Sequence, residues 1–221
     1  PLSAKGKYLY SDIGFIMLQK LVEKLSRKKL NEYAEEVFYK PLGSNFIGYL
    51  PLEKFKKEQI IPTEYDQFLR KQLLRGYVHD ANAAFMGGVA GHAGLFSNAN
   101  DLAKLCQLYL NQGTYGNKRY LSEETCALFT ETKSPYSRRG LGFDRSDGEK
   151  TAKSNVAPSA SEATYGHTGF TGTCLWIDPK EDLIYIFLSN RVHPNSWNRQ
   201  LIDENIRTRI QQVIYDAIEK K

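Results

Sequence analysis

Between Ser11 and Leu25 the apolar residues Phe15, Leu18, Val22 and Leu25 recur every three or four positions, with Met17 and Leu21 beside them. That period predicts an amphipathic helix, and Ser11 or Asp12 is placed to cap its first turn. A second helix is predicted from about Leu30 to Phe38. It stops at Lys40-Pro41-Leu42-Gly43, because the residue before a proline avoids helical backbone angles. Residues 43–97 mix Gly, Pro, Asn and aromatics without a sustained period and read as loop with short helical pieces. A long ordered loop in a compact domain is usually functional. Ser97-Asn98-Ala99-Asn100-Asp101 opens a helix carrying Leu102, Leu105, Leu108 and Tyr109, which ends before Gly113, and Ser122-Glu123-Glu124 opens another to about Thr130. Residues 133–163 are polar, with Gly, Ser and Pro scattered through them. The period then changes. Thr173 to Asp178 and Leu183 to Asn190 are rich in Ile, Leu, Tyr, Phe and Trp, joined by Pro179-Lys180-Glu181-Asp182, which is the pattern of a hairpin. Ile202, Ile206, Ile210, Val213, Ile214 and Ala217 define one closing helix.

Helices, an irregular middle, a strand pair and a final helix make a mixed α/β (α+β) chain, read as a single domain over residues 1–221 with no internal repeat. Two or three strands are a thin core for that length. The sheet is therefore either small or completed by strands outside this chain. Leu183-Ile184-Tyr185-Ile186-Phe187-Leu188 lacks Pro and charge, so an open edge there would template pairing with another chain. Dimerisation through this edge strand, an open edge or poor solubility is the expected consequence.

Apolar residues at 41% and charged residues at 25% exclude disordered and collagen-like classes. No apolar run reaches the roughly 18 residues of a membrane-spanning helix, so no membrane span is expected. Thirty Lys+Arg against 25 Asp+Glu give +5, but the lysines are spread along the chain rather than striped. Solvated helix faces explain them, and no nucleic-acid partner is expected. Cys106, Cys126 and Cys174 are odd in number and lack C-x-x-C spacing, which argues against a disulfide framework and for buried, inert thiols. His79, His92, His167 and His193 show neither i, i+4 nor H-E-x-x-H spacing, so neither a metal site nor a cofactor is expected.

Three segments carry candidate chemistry. Tyr8-Leu9-Tyr10-Ser11-Asp12-Ile13-Gly14 sets a phenol beside a helix N-terminus, where the dipole favours negative charge. Gly87-Gly88-Val89-Ala90-Gly91-His92-Ala93-Gly94-Leu95-Phe96-Ser97 lets backbone approach something closely but lacks the Gly-Lys-Ser/Thr end of a phosphate loop. Tyr165-Gly166-His167-Thr168-Gly169-Phe170-Thr171-Gly172 exposes a His among small residues at a strand entry. Taken singly, a capped helix start, a tight turn and a Gly-rich strand entry account for them.

Taken together and in order, they resemble the serine beta-lactamase and penicillin-binding-protein superfamily, in its class C and esterase-like branch. That family carries Ser-x-x-Lys, Tyr-x-Asn and Lys/His-Thr/Ser-Gly. Tyr10-Ser11-Asp12 is similar to the second motif with Asp for Asn, and His167-Thr168-Gly169 to the third in its His form. Gly91-His92-Ala93-Gly94-Leu95-Phe96-Ser97 resembles the family's Gly-Leu-x-Ser turn, and Phe38-Tyr39-Lys40-Pro41-Leu42-Gly43 its Phe-x-Pro-Leu-Gly segment. The resemblance implies a beta-lactamase/transpeptidase-like antiparallel sheet flanked by helices and incomplete for want of N-terminal strands. It implies Tyr10 and His167 as catalytic residues around one cleft, and Asp12, Thr168, Gly169 and Phe170 as substrate-binding. The Phe170 amide would be one oxyanion donor.

The nucleophile motif does not precede Tyr10. Ser26-Arg27-Lys28-Lys29 spells Ser-x-x-Lys but follows the Tyr motif in a basic cluster, and Ser3-Ala4-Lys5 has the wrong spacing. The chain therefore reads as the C-terminal portion of a serine hydrolase, inactive alone, whose partner is the N-terminal segment of the same protein. Its substrate would be a small acyl or peptide-like compound. A His where the family also uses Lys is mostly neutral at pH 7, with a reference pKa of about 6.5, which points toward esterase or peptidase-like acyl transfer. The alternative is a non-catalytic peptidoglycan- or carbohydrate-binding module fused to a glycoside hydrolase family 3 beta-N-acetylglucosaminidase, with Trp197 and loop aromatics stacking on sugars. The resemblance suggests a periplasmic or cell-envelope location.

Overall fold

The structure, a computed structural model, describes residues 7–132, 134–151 and 153–218. In chain order its elements are α1 (Asp12–Ser26), α2 (Leu30–Ala34) running into a π turn (Glu35–Tyr39), 3-10 turns at Pro51–Glu53 and Lys57–Gln59, β1 (Tyr65–Asp66), β2 (Gln72–Leu73), α3 (Ala81–Phe85), α4 (Ala99–Leu110), β3 (Thr114–Tyr115), β4 (Lys118–Arg119), α5 (Glu123–Thr130), β5 (Asp144–Arg145), β6 (Tyr165–Thr168), β7 (Cys174–Asp178), β8 (Leu183–Phe187), α6 (Gln200–Asp203) and α7 (Ile206–Ile218). They form two compact units. Among the described residues, one is built from Ala103–Arg191 and residues 198–218 with Lys7 and Tyr8, the other from Leu9–Leu102 with Val192–Trp197.

The first unit holds an antiparallel sheet in the order β5-β6-β7-β8. Side chains alternate across a strand, and here both faces are covered. Cys174 and Trp176 of β7 and Leu183, Tyr185 and Phe187 of β8 pack with Val156, Ala157, Ile214 and Tyr215, the last two from α7. Leu175 and Ile177, with Ile184 and Ile186, pack instead with Cys106, Tyr109 and Leu110 of α4 and with Phe143 and Tyr165. That is why the hairpin reads as continuous apolar runs rather than alternation. Among the described residues β8 pairs only with β7, so its outer edge carries no strand. All three cysteines are buried and free. Burial pushes the Cys106 thiol up to about 12 and the Cys174 thiol up to about 11, which makes them unreactive.

Two expectations about this unit change. The closing helix is two helices, because Asn205 takes a left-handed φ of 48° and its side-chain amide donates to Ser154 O at 3.0 Å. The hairpin is preceded by β6 and β5, so the strand pair becomes four strands.

At the end of β7, Asp178 is fully buried and receives the Ser161 amide and hydroxyl (2.8 and 2.5 Å), the Lys180 amide (3.1 Å) and the Tyr215 hydroxyl (2.7 Å). Burial pushes its carboxyl up, but these donors outweigh burial and leave it below the ordinary range.

In the second unit, Gln19 of α1 is buried. Its Oε1 accepts from Gly91 N at 3.1 Å, and its Nε2 donates to Val89 O at 3.2 Å. Gly91 lies so close that a Cβ there would sit 2.2 Å from Phe15 O, so the glycine-rich segment is a docking loop on α1. Asp66 anchors the following irregular segment. It accepts the Phe68, Leu69 and Arg70 amides and Arg70 Nε, while the same guanidinium donates to Val78 O and His79 O. The Arg70 partner holds the Asp66 carboxyl down to about 2. Among the described residues no helix is long and apolar enough to cross a membrane.

Removing the link between sheet and α7 should be costly. Tyr215→Phe is expected to lower unfolding free energy by about 2 kcal/mol, since it deletes a hydrogen bond to a charged group. Asp178→Ala, which orphans four donor groups, is expected to cost more. Urea unfolding followed by circular dichroism measures both, and equal stability of all three proteins would refute the assignment.

Candidate active site

His167 lies on β6, next to a residue that must be glycine. A Cβ on Gly166 would sit 2.0 Å from Leu175 O. The half-buried imidazole has partners on both nitrogens. Nδ1 is 2.7 Å from Thr168 O, and Nε2 is 2.8 Å from Arg139 Nη1. A carbonyl only accepts and a guanidinium only donates. Nδ1 therefore carries the proton and Nε2 is the acceptor. Burial lowers the His167 pKa most, and the adjacent Arg139 charge lowers it further. The bond to Thr168 O and the charge of Asp144 pull the other way without reversing the result. His167 is a neutral imidazole in the folded chain.

Arg139 is itself fixed. Its Nη2 reaches Asp144 Oδ2 at 3.2 Å, and its guanidinium lies 5.9 Å from the Tyr8 ring. Arg138 binds the same carboxylate through Nε (2.7 Å) and Nη2 (2.9 Å). Tyr8, Tyr136, Ser137, Arg138, Arg139 and Asp147 line a cleft of about 400 Å³. The sequence argument that a neutral His leaves this position without a cation did not include Arg139. Nothing local in the sequence marks Arg139 as His167's neighbour.

Thr168, Gly169 and Phe170 follow His167. Thr168 pairs with Cys174. Gly169 N donates to Thr173 O at 2.8 Å, and Gly169 O accepts from Gly172 N at 3.1 Å, which closes the turn. In a trans peptide the N–H points opposite to the carbonyl, so this bond also sets the direction of the Phe170 N–H. Arg191 stacks 4.4 Å over the Phe170 ring and donates to Phe170 O at 2.8 Å. The ring is 66% exposed.

Tyr10 and Asp12 belong to the other unit. Tyr10 is 59% exposed just ahead of α1, Ser11 occupies the cap position without a side-chain cap bond, and Asp12 opens the first turn. Asp12 is brought together with two residues that were not assigned a role from sequence, Asp80 and His92. Asp80 caps α3 through Ala83 N (2.7 Å) and meets His92 Nε2 at 2.9 Å with the same oxygen. The Ser-x-x-Lys at Ser26 has no catalytic geometry. The helix ends there, and Arg27 turns left-handed with φ 57°, so Lys29 does not lie one helical turn beyond Ser26.

Two outcomes follow from the neutral His167. Unfolded His titrates near 6.5, whereas in the folded chain its pKa is lower. Its contribution to stability is therefore complete above about pH 6.5 and declines as pH falls below that value. The thermal midpoint of His167→Gln should show a shallower decline than wild type between pH 7 and 5, and parallel curves would refute the shift. His167→Lys sets a second cation against Arg139. It should lower the midpoint at pH 7, and Arg139→Gln in the same chain should recover part of the loss. Additive effects in that cycle would show that the two side chains do not interact.

A family model described as Beta-lactamase matches residues 1–205. The chain is 43% identical over 199 residues to the N-acetylmuramyl-L-alanine amidase of Bacillus subtilis strain 168, covering 85% of this chain and 45% of the relative. It is 40% identical over 200 residues to the "Putative D-alanyl-D-alanine carboxypeptidase" of Escherichia coli K12, covering 85% and 46%. The chain thus spans about half the length of these relatives. Among solved structures it is similar in fold to a beta-lactamase from Mycobacterium bovis, with a TM-score of 0.65 at 19% identity over 97% of this chain and 66% of that one. Motifs, mixed helix and antiparallel-sheet architecture, and relatives agree: the chain belongs to the beta-lactamase family of hydrolases.

Proposed function

We propose that this chain is the C-terminal portion of a serine hydrolase domain that cleaves a peptide-like amide by acyl transfer. The nucleophilic Ser and its Lys would come from a preceding segment of the same protein. The observation that carries the reading is the His167–Arg139 pair at 2.8 Å, which leads into the Phe170 turn. In this scheme Tyr10, with the incoming Lys, takes the proton from the Ser hydroxyl as it attacks the amide carbonyl. The Phe170 N–H and the Ser N–H stabilise the oxyanion. The Tyr10–Lys pair returns the proton to the amide nitrogen, so the C–N bond breaks and a neutral amine leaves; a water, deprotonated in the same way, then attacks the acyl carbon, and the Ser oxygen takes back a proton as the acid departs. Asp12, Thr168 and Gly169 line the bound substrate. Arg139 supplies positive charge beside a neutral His167, which suits a substrate with a free carboxylate and moves the reading from ester toward peptide or amide. The names of the relatives point to amides of muramyl-alanine or of terminal D-alanines as the first substrates to assay.

The test uses both the present chain and the intact protein. A muramyl-L-alanine substrate and a D-alanyl-D-alanine peptide should be turned over by the intact protein only. Tyr10→Phe in the intact protein should reduce kcat by about 10²-fold or more, the scale of lost proton transfer. Arg139→Gln should act mainly on KM for carboxylate-bearing substrates. An active present chain with an acyl adduct on Ser26 would overturn the proposal. An intact protein that binds muramyl peptides without hydrolysing them would instead establish the non-catalytic module.

A further inference from the structure

In the second unit, Asp12, Asp80 and His92 each place a ligand atom so that all three lie within 4.8 Å of one another. The arrangement is supported from three directions. Asp12 sits in the first turn of α1, Asp80 is locked as the cap of α3, and His92 follows Gly91, which Gln19 ties to α1. The His92 side chain is only 5% exposed. Nε2 meets Asp80 at 2.9 Å, yet the buried Nδ1 has no partner among the described residues. Nε2, which faces Asp80, is the ring nitrogen that can join the carboxylates at one ion, while Nδ1 lies on the opposite side of the ring.

We propose that Asp12, Asp80 and His92 bind a divalent first-row transition cation, with Zn²⁺ and Mn²⁺ as the probes of choice. Two carboxylate oxygens and one imidazole nitrogen are a borderline-hard donor set. It suits such ions and disfavours soft Cu(I), for which no thiolate or thioether is at hand. Two carboxylates also neutralise the charge of the ion. Three protein ligands leave coordination positions for water or a substrate oxygen, as in open rather than structural sites. These ligands come from positions 12, 80 and 92, so no local spacing motif reveals them.

The proposal does not depend on the hydrolase reading, and its test measures binding without substrate. The chain is stripped with chelator, dialysed and titrated with ZnCl₂ or MnCl₂ by calorimetry, with bound metal counted by mass spectrometry. One equivalent per chain and a thermal midpoint raised by the metal are expected. Asp12→Asn, at a half-exposed position that the fold should tolerate, should weaken binding at least about tenfold, and His92→Gln should abolish it. Circular dichroism confirms that each variant is folded. Less than stoichiometric metal at about 100 µM would overturn the proposal. So would equal affinity in wild type and a folded Asp12→Asn, because the ion would then lie elsewhere. Metal binding with an inactive intact protein would leave this site standing and remove the hydrolase reading alone.

Discussion

The unit that carries His167 depends on one buried carboxylate. Asp144 lies on the two-residue strand β5 with its side chain 6% exposed, and such a charge is tolerated only with close, hydrogen-bonded partners. Arg138 and Arg139 supply them. Two guanidinium groups on one carboxylate leave surplus positive charge, and part of it rests against His167 Nε2. A protonated imidazole in that place would meet a cation with a donor on both sides. The neutral state of His167 thus follows first from burial and then from the Arg139 charge, which Asp144 holds in place while its own charge pulls the other way. The charge that a Lys would bring to this motif is delivered by Arg139 from a different loop.

The second unit uses the same logic with neutral groups. Gln19, buried on α1, accepts from Gly91 N–H with its side-chain carbonyl and donates to Val89 O with its amide, so the loop is fixed by side-chain to backbone hydrogen bonds as well as by the packing of Ala90 and Ala93. Glycine is needed at position 91 because backbone approaches backbone, and the neighbouring His92 is carried into burial with it. The glycine-rich segment is therefore positioning machinery. Its value lies in where it sets one imidazole against Asp80.

What was legible in the sequence follows from the range of the interactions. Helix α1, the opening of α4 and the Ser122 cap of α5 were readable because period and capping are local, and Ser122 Oγ does accept from Thr125 N at 3.1 Å. The β7–β8 hairpin was readable because both of its faces are apolar. β5 was not, since a polar two-residue strand has no period to detect. The break at Asn205 was hidden because apolar spacing continues across it, and the cause is a bond to Ser154 far away in sequence. Of the candidate residues, Tyr10 and Asp12 in one unit and His167 to Phe170 in the other carry local motifs that single them out. The tautomer of His167 and the presence of Arg139, Asp80 and His92 could not be read in this way, because each depends on partners brought in from other loops.

The outer edge of β8 imposes a last constraint. Packing on both sides of the sheet makes β7 and β8 apolar on both faces, so polar-out alternation was never available to protect that edge. Natural edges are guarded by charge, proline, bulges or a covering element, and the run from Leu183 to Phe187 contains neither charge nor proline. Any strand that continues the sheet beyond β8 must then be apolar on both faces as well, since it would extend the same two layers. It must also pair along five residues in register with β8, whose other edge is already committed to β7 from Cys174 to Asp178. A strand meeting those conditions would be recognisable by its sequence as an uninterrupted apolar run of about five residues, the usual strand length, and not as an amphipathic one.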